Sequence, residues 1–127
     1  MASAVLDSSA VLAVLNGEPG VDKIAQVLTD ALLSTVNYAE VVAKLVERGT
    51  SLVEAKTALQ SIALTTIDFD IALAQRTGEL RSETRKRGLS LGDRACLSLA
   101  EREGVAAITA DRSWIGAIPG VEIRLFR

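Results

Sequence analysis

Short apolar runs of strand length recur along this sequence, and most are separated by longer stretches whose apolar residues keep a helical period. The runs are "AVL" at 4–6, "ALLS" at 31–34, "LTTI" at 64–67, "VAAIT" at 105–109 and "VEIRLF" at 121–126. Between them the pattern predicts helices at 8–15, closed by "NGEPG", and at 20–28, with Val21, Ile24, Ala25 and Leu28 in phase. "NYAEVVAKLVERG" places Val41, Val42, Leu45 and Val46 on one side before Gly49 stops it, and Ser51 opens the next helix with capping-box spacing to Glu54. A long helix is predicted over 70–88, another over "SLGDRACLSLAEREG" up to Gly104, and one helical turn at "DRSWIG". Strands separated by helices must pair in parallel through right-handed crossovers. The expected fold is a three-layer α/β/α sandwich around a parallel sheet of about five strands, with residues 1–127 as a single domain.

Composition removes most chemistries. Apolar residues make up 49% of the chain and aromatics 3%, so the core must be built from Ala, Val, Leu and Ile, as suits helices on a buried sheet. No apolar run approaches the roughly 18 residues of a membrane span, and no signal-like segment opens the sequence, so a cytoplasmic protein is expected. Cys96 is the sole cysteine and lies among Ala95, Leu97 and Leu99, which predicts a buried structural thiol. There is no histidine, which excludes Ser-His-Asp triads, Cys-His pairs and histidine zinc sites. Any hydrolytic chemistry must therefore run on carboxylates. The net charge of −2 argues against a surface that coats nucleic acid, while leaving room for local basic patches.

In parallel sheets ligands bind beyond the carboxyl ends of the strands. Asp7 follows "AVL" and Asp111 follows "AAITA", so both are expected at that edge, and Glu40 and Asp93 fall in first turns of helices that start there. Each has a plainer reading as a helix cap: Asp7 and Asp111 as N-caps, Glu40 boxed with Asn37, Asp93 boxed with Ser90. Capping does not require all four acids to lie at one edge, whereas a divalent-metal site needs oxygen ligands converging from separate elements.

"AVLDSSAVLAVL", "STVNYAEVVAKL", "LSLGDRACLSLA" and "AAITADRSW" resemble, in order and spacing, the four motif regions of the PIN domain. Their arrangement is similar to that of VapC-type toxins of bacterial and archaeal toxin–antitoxin pairs. The resemblance implies a Mg²⁺- or Mn²⁺-dependent endoribonuclease with Asp7, Glu40, Asp93 and Asp111 as its acidic set and Ser9 as a polar helper. It also implies an RNA substrate, homodimerisation through helices, and inhibition by a small antitoxin that enters the acidic groove. Within it, Asp7 and Asp93 are assigned as direct metal ligands and Asp111 as a ligand directly or through water. Glu40 orients or deprotonates the attacking water, its role being interchangeable with that of Asp111. Many relatives carry a further acid or amide where this chain has Ser113.

Other charged residues have competing readings. Asp68 is expected to cap the long helix and Asp70 to complement its dipole. Arg81, Arg85, Lys86 and Arg87 cluster at a helix end where cations are favoured anyway, leaving RNA contact as the lesser reading. Arg94 and Arg112 flank two of the acids and are the candidates for phosphate or antitoxin contact. Trp114 is expected to anchor its turn in the core. Two other functions compete. A haloacid-dehalogenase-type phosphatase would show "DxDx" where this chain reads "DSSA", and a receiver domain needs a late lysine, of which there is none after Lys86. The third possibility is a PIN-like module that binds without catalysis, which retention of all four acids opposes.

Overall fold

The five apolar runs form five strands: β1 (Ala4–Leu6), β2 (Ala31–Ser34), β3 (Thr65–Ile67), β4 (Ala106–Thr109) and β5 (Ile123–Leu125). They pair in the order β3-β2-β1-β4-β5, and every pairing is parallel. The computed structural model describes residues 2–127; Met1, included in the span read from sequence, lies outside the described residues. Six helices connect the strands: α1 (Ser8–Asn16), α2 (Val21–Ala25), α3 (Thr35–Glu47), α4 (Leu52–Ser61), α5 (Ile71–Glu83) and α6 (Leu91–Glu103).

Alternating strand residues feed two separate cores. Ala4, Leu6, Ala31, Leu33 and Ile108 pack with residues of α1, α3 and α4, while Val5, Leu32 and Ala107 pack on the opposite face with Leu73, Leu80, Leu97 and Trp114. The three-layer sandwich is therefore as expected, and Trp114 and Cys96 are both fully buried, as predicted. Helix α6 is buried along most of its length, and Leu97 and Leu99, wholly removed from water, contribute roughly 2 kcal/mol each. That anchoring fixes where the first turn of α6 emerges. No helix among the described residues is long and apolar enough to cross a membrane.

Two predicted helices are shorter than their periodicity. The 20–28 segment is helical only over Val21–Ala25 and then tightens into a 3₁₀ turn at Leu28–Asp30. Gly20 stands outside the helix at φ 92, where a Cβ would collide with the backbone carbonyl of Phe126. The 70–88 helix stops at Thr84, whose hydroxyl bonds back to the Leu80 carbonyl at 2.7 Å, and a separate 3₁₀ turn, Arg85–Arg87, ends at left-handed Gly88. Asp70, not Asp68, is the N-cap of α5, accepting from the Leu73 amide at 2.9 Å. Asn37 caps nothing: the N-cap of α3 is Ser34, three residues earlier.

Candidate active site

Strand order reverses direction on either side of β1, which makes the β1/β4 gap the switch point where a parallel sheet opens a crevice. Asp7 and Asp111 follow the two strands that border it. Asp7 is 6% exposed and caps α1; its carboxylate accepts from the Ala10 amide at 2.9 Å, the Ser9 hydroxyl at 2.7 Å and the Thr109 hydroxyl at 2.6 Å. Thr109 Oγ1 in turn accepts the Asp111 amide at 3.1 Å, so one buried hydroxyl joins the first acid to the last. Ser9 Oγ likewise accepts from the Ala110 amide at 3.4 Å. Burial pushes the Asp7 carboxyl up to about 6 despite hydrogen bonds from Thr109, Ser9 and Ala10 that oppose the shift, and the charge of Asp93 adds to it.

Asp93 sits in a complete capping box, with Ser90 Oγ accepting the Asp93 amide at 3.1 Å and Asp93 Oδ2 accepting the Ser90 amide at 2.9 Å. Asp111 is exposed; its Oδ1 accepts both the Ser113 amide at 2.9 Å and the Ser113 hydroxyl at 2.7 Å. Ser113 thus holds the last aspartate. Glu40 points from α3 toward α6, its Oε1 accepting from Asn37 Nδ2 at 2.8 Å, and the same Nδ2 donates to the Gly92 carbonyl at 3.1 Å. The buried Cys96 thiol is pushed up mainly by burial, and the charges of Asp7, Asp93 and Glu40 all push it the same way.

Sequence reasoning paired Asn37 with Glu40, though as a capping box, and missed Gly92. Asn37, 1% exposed, ties Glu40 to the start of α6. Gly92 provides the space: a Cβ at that position would overlap the Glu40 carboxylate. The spacing of three residues signalled the Asn37–Glu40 pair, and the one signal for Gly92 was a glycine beside Asp93 in an otherwise strong helix.

Arg94 corrects an expectation. Its guanidinium turns inward at 8% exposure and donates from Nη1 to the Thr77 carbonyl at 2.9 Å, so it is packed between α5 and α6 rather than beside the carboxylates. Arg112 is exposed in the 3₁₀ turn Arg112–Trp114, next to Asp111. A cleft of about 330 Å³, lined in part by Ser9, Leu12, Glu40 and Lys44, opens between α1 and α3; of the four acids, Glu40 alone lines it.

In kind, the donor set fits a hard divalent cation. Among the described residues no Lys or Arg lies within 4 Å of the four carboxylates, although seven such pairs form elsewhere. Glu40 Oε2, Asp93 Oδ1 and Asp111 Oδ2 receive no protein hydrogen bond among the described residues. The acids do not form a closed cage, for no group of three or more is gathered into metal-holding contact among the described residues; Asp93 and Asp111 are held by their caps.

The Thr109 link is testable by Thr109→Val, which keeps the volume, removes the donor to Asp7 and strands the Asp111 amide. The expected cost is about 1–3 kcal/mol in urea melts, with the Asp7 carboxyl titrating higher than in the parent by NMR. An unchanged Asp7 titration would show the hydroxyl to be idle.

Fold and site together define a parallel α/β domain with a carboxylate cluster at its switch point. The PIN domain family model matches residues 4–117, and the chain belongs to that family. Among solved structures, a chain of the DNA-bound VapBC complex from Salmonella typhimurium is similar over 100% of both chains, with a TM-score of 0.78 and 19% identity. VapC20 of Mycobacterium tuberculosis, described as a sarcin-ricin loop cleaving toxin, matches 91% of this chain and 95% of its own with a TM-score of 0.77 and 18% identity. FitAcB from Neisseria gonorrhoeae matches over 94% and 95% with a TM-score of 0.71 and 19% identity. No curated protein matches the sequence.

Proposed function

We propose that this chain is a metal-dependent endoribonuclease and the toxin of a VapC-like toxin–antitoxin pair, working in the cytoplasm. The observation that carries the reading is a nearly buried Asp7 at the switch point, with the half-buried Glu40 and Asp93 near it and, among the described residues, no Lys or Arg within 4 Å of any of them. A carboxylate whose charge is costly to bury, beside two more and with no protein cation to balance them, suits a site completed by a bound cation.

Asp7 and Asp93 would hold a Mg²⁺ or Mn²⁺ ion, with Asp111 joining directly or through water. A cation there supplies charge neutralisation on the phosphate and makes a water more acidic. Glu40 Oε2, free of protein donors, takes the proton from the attacking water, while Asn37 holds the other oxygen still. Ser9 keeps the Asp7 carboxylate in place and Arg112 meets a phosphate oxygen. The VapBC complexes among the structural neighbours support a small antitoxin partner; a basic side chain of that partner placed among the carboxylates would block the groove, and a homodimer is expected with it.

Incubation of the pure, partner-free chain with structured RNAs tests the reading. Cleavage should require Mg²⁺ or Mn²⁺ and leave 5′-phosphate and 3′-hydroxyl ends, because water is the nucleophile. Cyclic-phosphate products that persist in EDTA would overturn it. The caps on Asp93 and Asp111 favour one second reading, a PIN module that binds RNA without cutting it; that version predicts no fragments under any metal.

A further inference from the structure

The basic turn 81–88 lies at the same edge as the acids. Helices α5 and α6 run antiparallel: Asp70 pairs with Arg102, Arg76 with Glu101, and the Thr77 hydroxyl bonds to that of Ser98 at 2.7 Å. The end of α5 therefore returns to the start of α6, where Asp93 sits. Arg87 fastens the two regions together. Its Nη1 donates to the carbonyls of Ser113 at 3.0 Å and Ile115 at 2.8 Å, on the segment that follows Asp111. Next to this clamp lies a pocket of about 200 Å³ lined by Arg81, Thr84, Arg85, Gly88 and Leu89. Among the described residues neither Arg81 nor Arg85 has a carboxylate within 4 Å; Glu83, the one acid in the turn, is bound by Arg76.

RNA approaching a cluster of bare carboxylates is repelled, and a chain of net charge −2 has no general surface that offsets this. The unpaired guanidiniums beside the site answer that need. Leu89, in the pocket wall, is four residues before Asp93, which places the two within about 14 Å even at full extension. We propose that the Arg81–Arg85 pocket binds a backbone phosphate of the RNA substrate a few nucleotides from the bond that is cut. This rests on the nuclease reading for its substrate, but is measured by binding as well as by cleavage.

The experiment uses the full-length chain, a fluorescently labelled single-stranded oligoribonucleotide and EDTA to prevent cutting. Arg81→Gln/Arg85→Gln should weaken RNA binding about 10-fold at low salt and flatten the dependence of log K on log salt by about 1. With Mg²⁺ it should raise KM while kcat and the Mg²⁺-induced shift in Tm stay at parental values. Lys23→Gln/Lys56→Gln, which removes the same charge elsewhere, should change neither. Equal losses in both double variants, or parental affinity in the first, overturn the inference while leaving the nuclease reading intact. Weaker binding by Arg81→Gln/Arg85→Gln than by a parent that binds RNA but never cuts it would sink the nuclease reading and support the pocket. Loss of a protein partner's binding with RNA affinity unchanged assigns the pocket to that partner and overturns the inference.

Discussion

Gly92→Ala is expected to leave the protein folded and to lower RNA cleavage by about 10²-fold, the scale of loss that a misplacement of about 1 Å produces at a reacting centre. The added methyl would occupy the space of the Glu40 carboxylate, the end of a flexible side chain, so the clash is relieved when Glu40 swings away. That movement breaks the Asn37–Glu40 hydrogen bond, a loss of about 1 kcal/mol, while alanine gains about as much over glycine inside a helix. Stability in urea should therefore stay within about 1 kcal/mol of the parent. The decisive comparison is a double-mutant cycle: once Glu40→Ala has removed the carboxylate, Gly92→Ala should cost no further activity. A fully active Gly92→Ala, or additive losses in the cycle, would show that Glu40 does not work from the position it holds here.

The middle of the sheet was legible because β1, β2 and β4 are short runs buried at every residue, with no exposed face to confuse the period. Helix ends were less so. Apolar phase carries the 20–28 segment through Leu28, yet Val27 adopts φ −117 and ψ 0 and the chain turns over into β2. Thr84 ends α5 through a hydroxyl bond to its own helix, a choice that periodicity does not encode.

The acids were legible for a different reason. Parallel topology sends the residue after each strand to one edge, so Asp7 and Asp111 could be placed once β1 and β4 were recognised. What lay beyond reach was side-chain direction. Arg94 stands beside Asp93 in sequence, but successive helical residues point about 100° apart, and it turns to Thr77 between the helices. Asn37 and Gly92 are 55 positions apart and meet only because α3 and α6 pack together. Capping and catalysis were set against each other as alternatives for Asp7, Asp93 and Asp111. The structure shows that a carboxylate can be held by its cap and still present a free oxygen, as Asp93 and Asp111 both do.

Asp7 separates the two roles by pH and metal. Its carboxyl lies near 6 in the folded chain against about 3.9 when unfolded, so the native state keeps its proton to higher pH. The stabilisation this gives is fully present below pH 3.9 and is lost as pH rises through 6, a total of about 3 kcal/mol for a group so thoroughly buried. Metal-free protein should accordingly become less stable between pH 4 and pH 7, as far as this group is concerned. Asp7→Asn keeps an acceptor for the Ser9 hydroxyl and the Ala10 amide and carries no charge, so in EDTA at pH 8 it should match or exceed the parent, with the difference vanishing near pH 4. Added Mg²⁺ or Mn²⁺ should reverse the order at pH 8, since mass action raises the parent by about 2.7 kcal/mol at a hundredfold excess over Kd and the variant by much less. Cleavage by the variant should fall by about 10²–10³-fold, the loss typical of removing one electrostatic contact to the transition state. Melts of both proteins across pH, in EDTA and in metal, read these terms separately. A variant that tracks the parent in every condition and still cuts RNA would reduce Asp7 to the cap of α1.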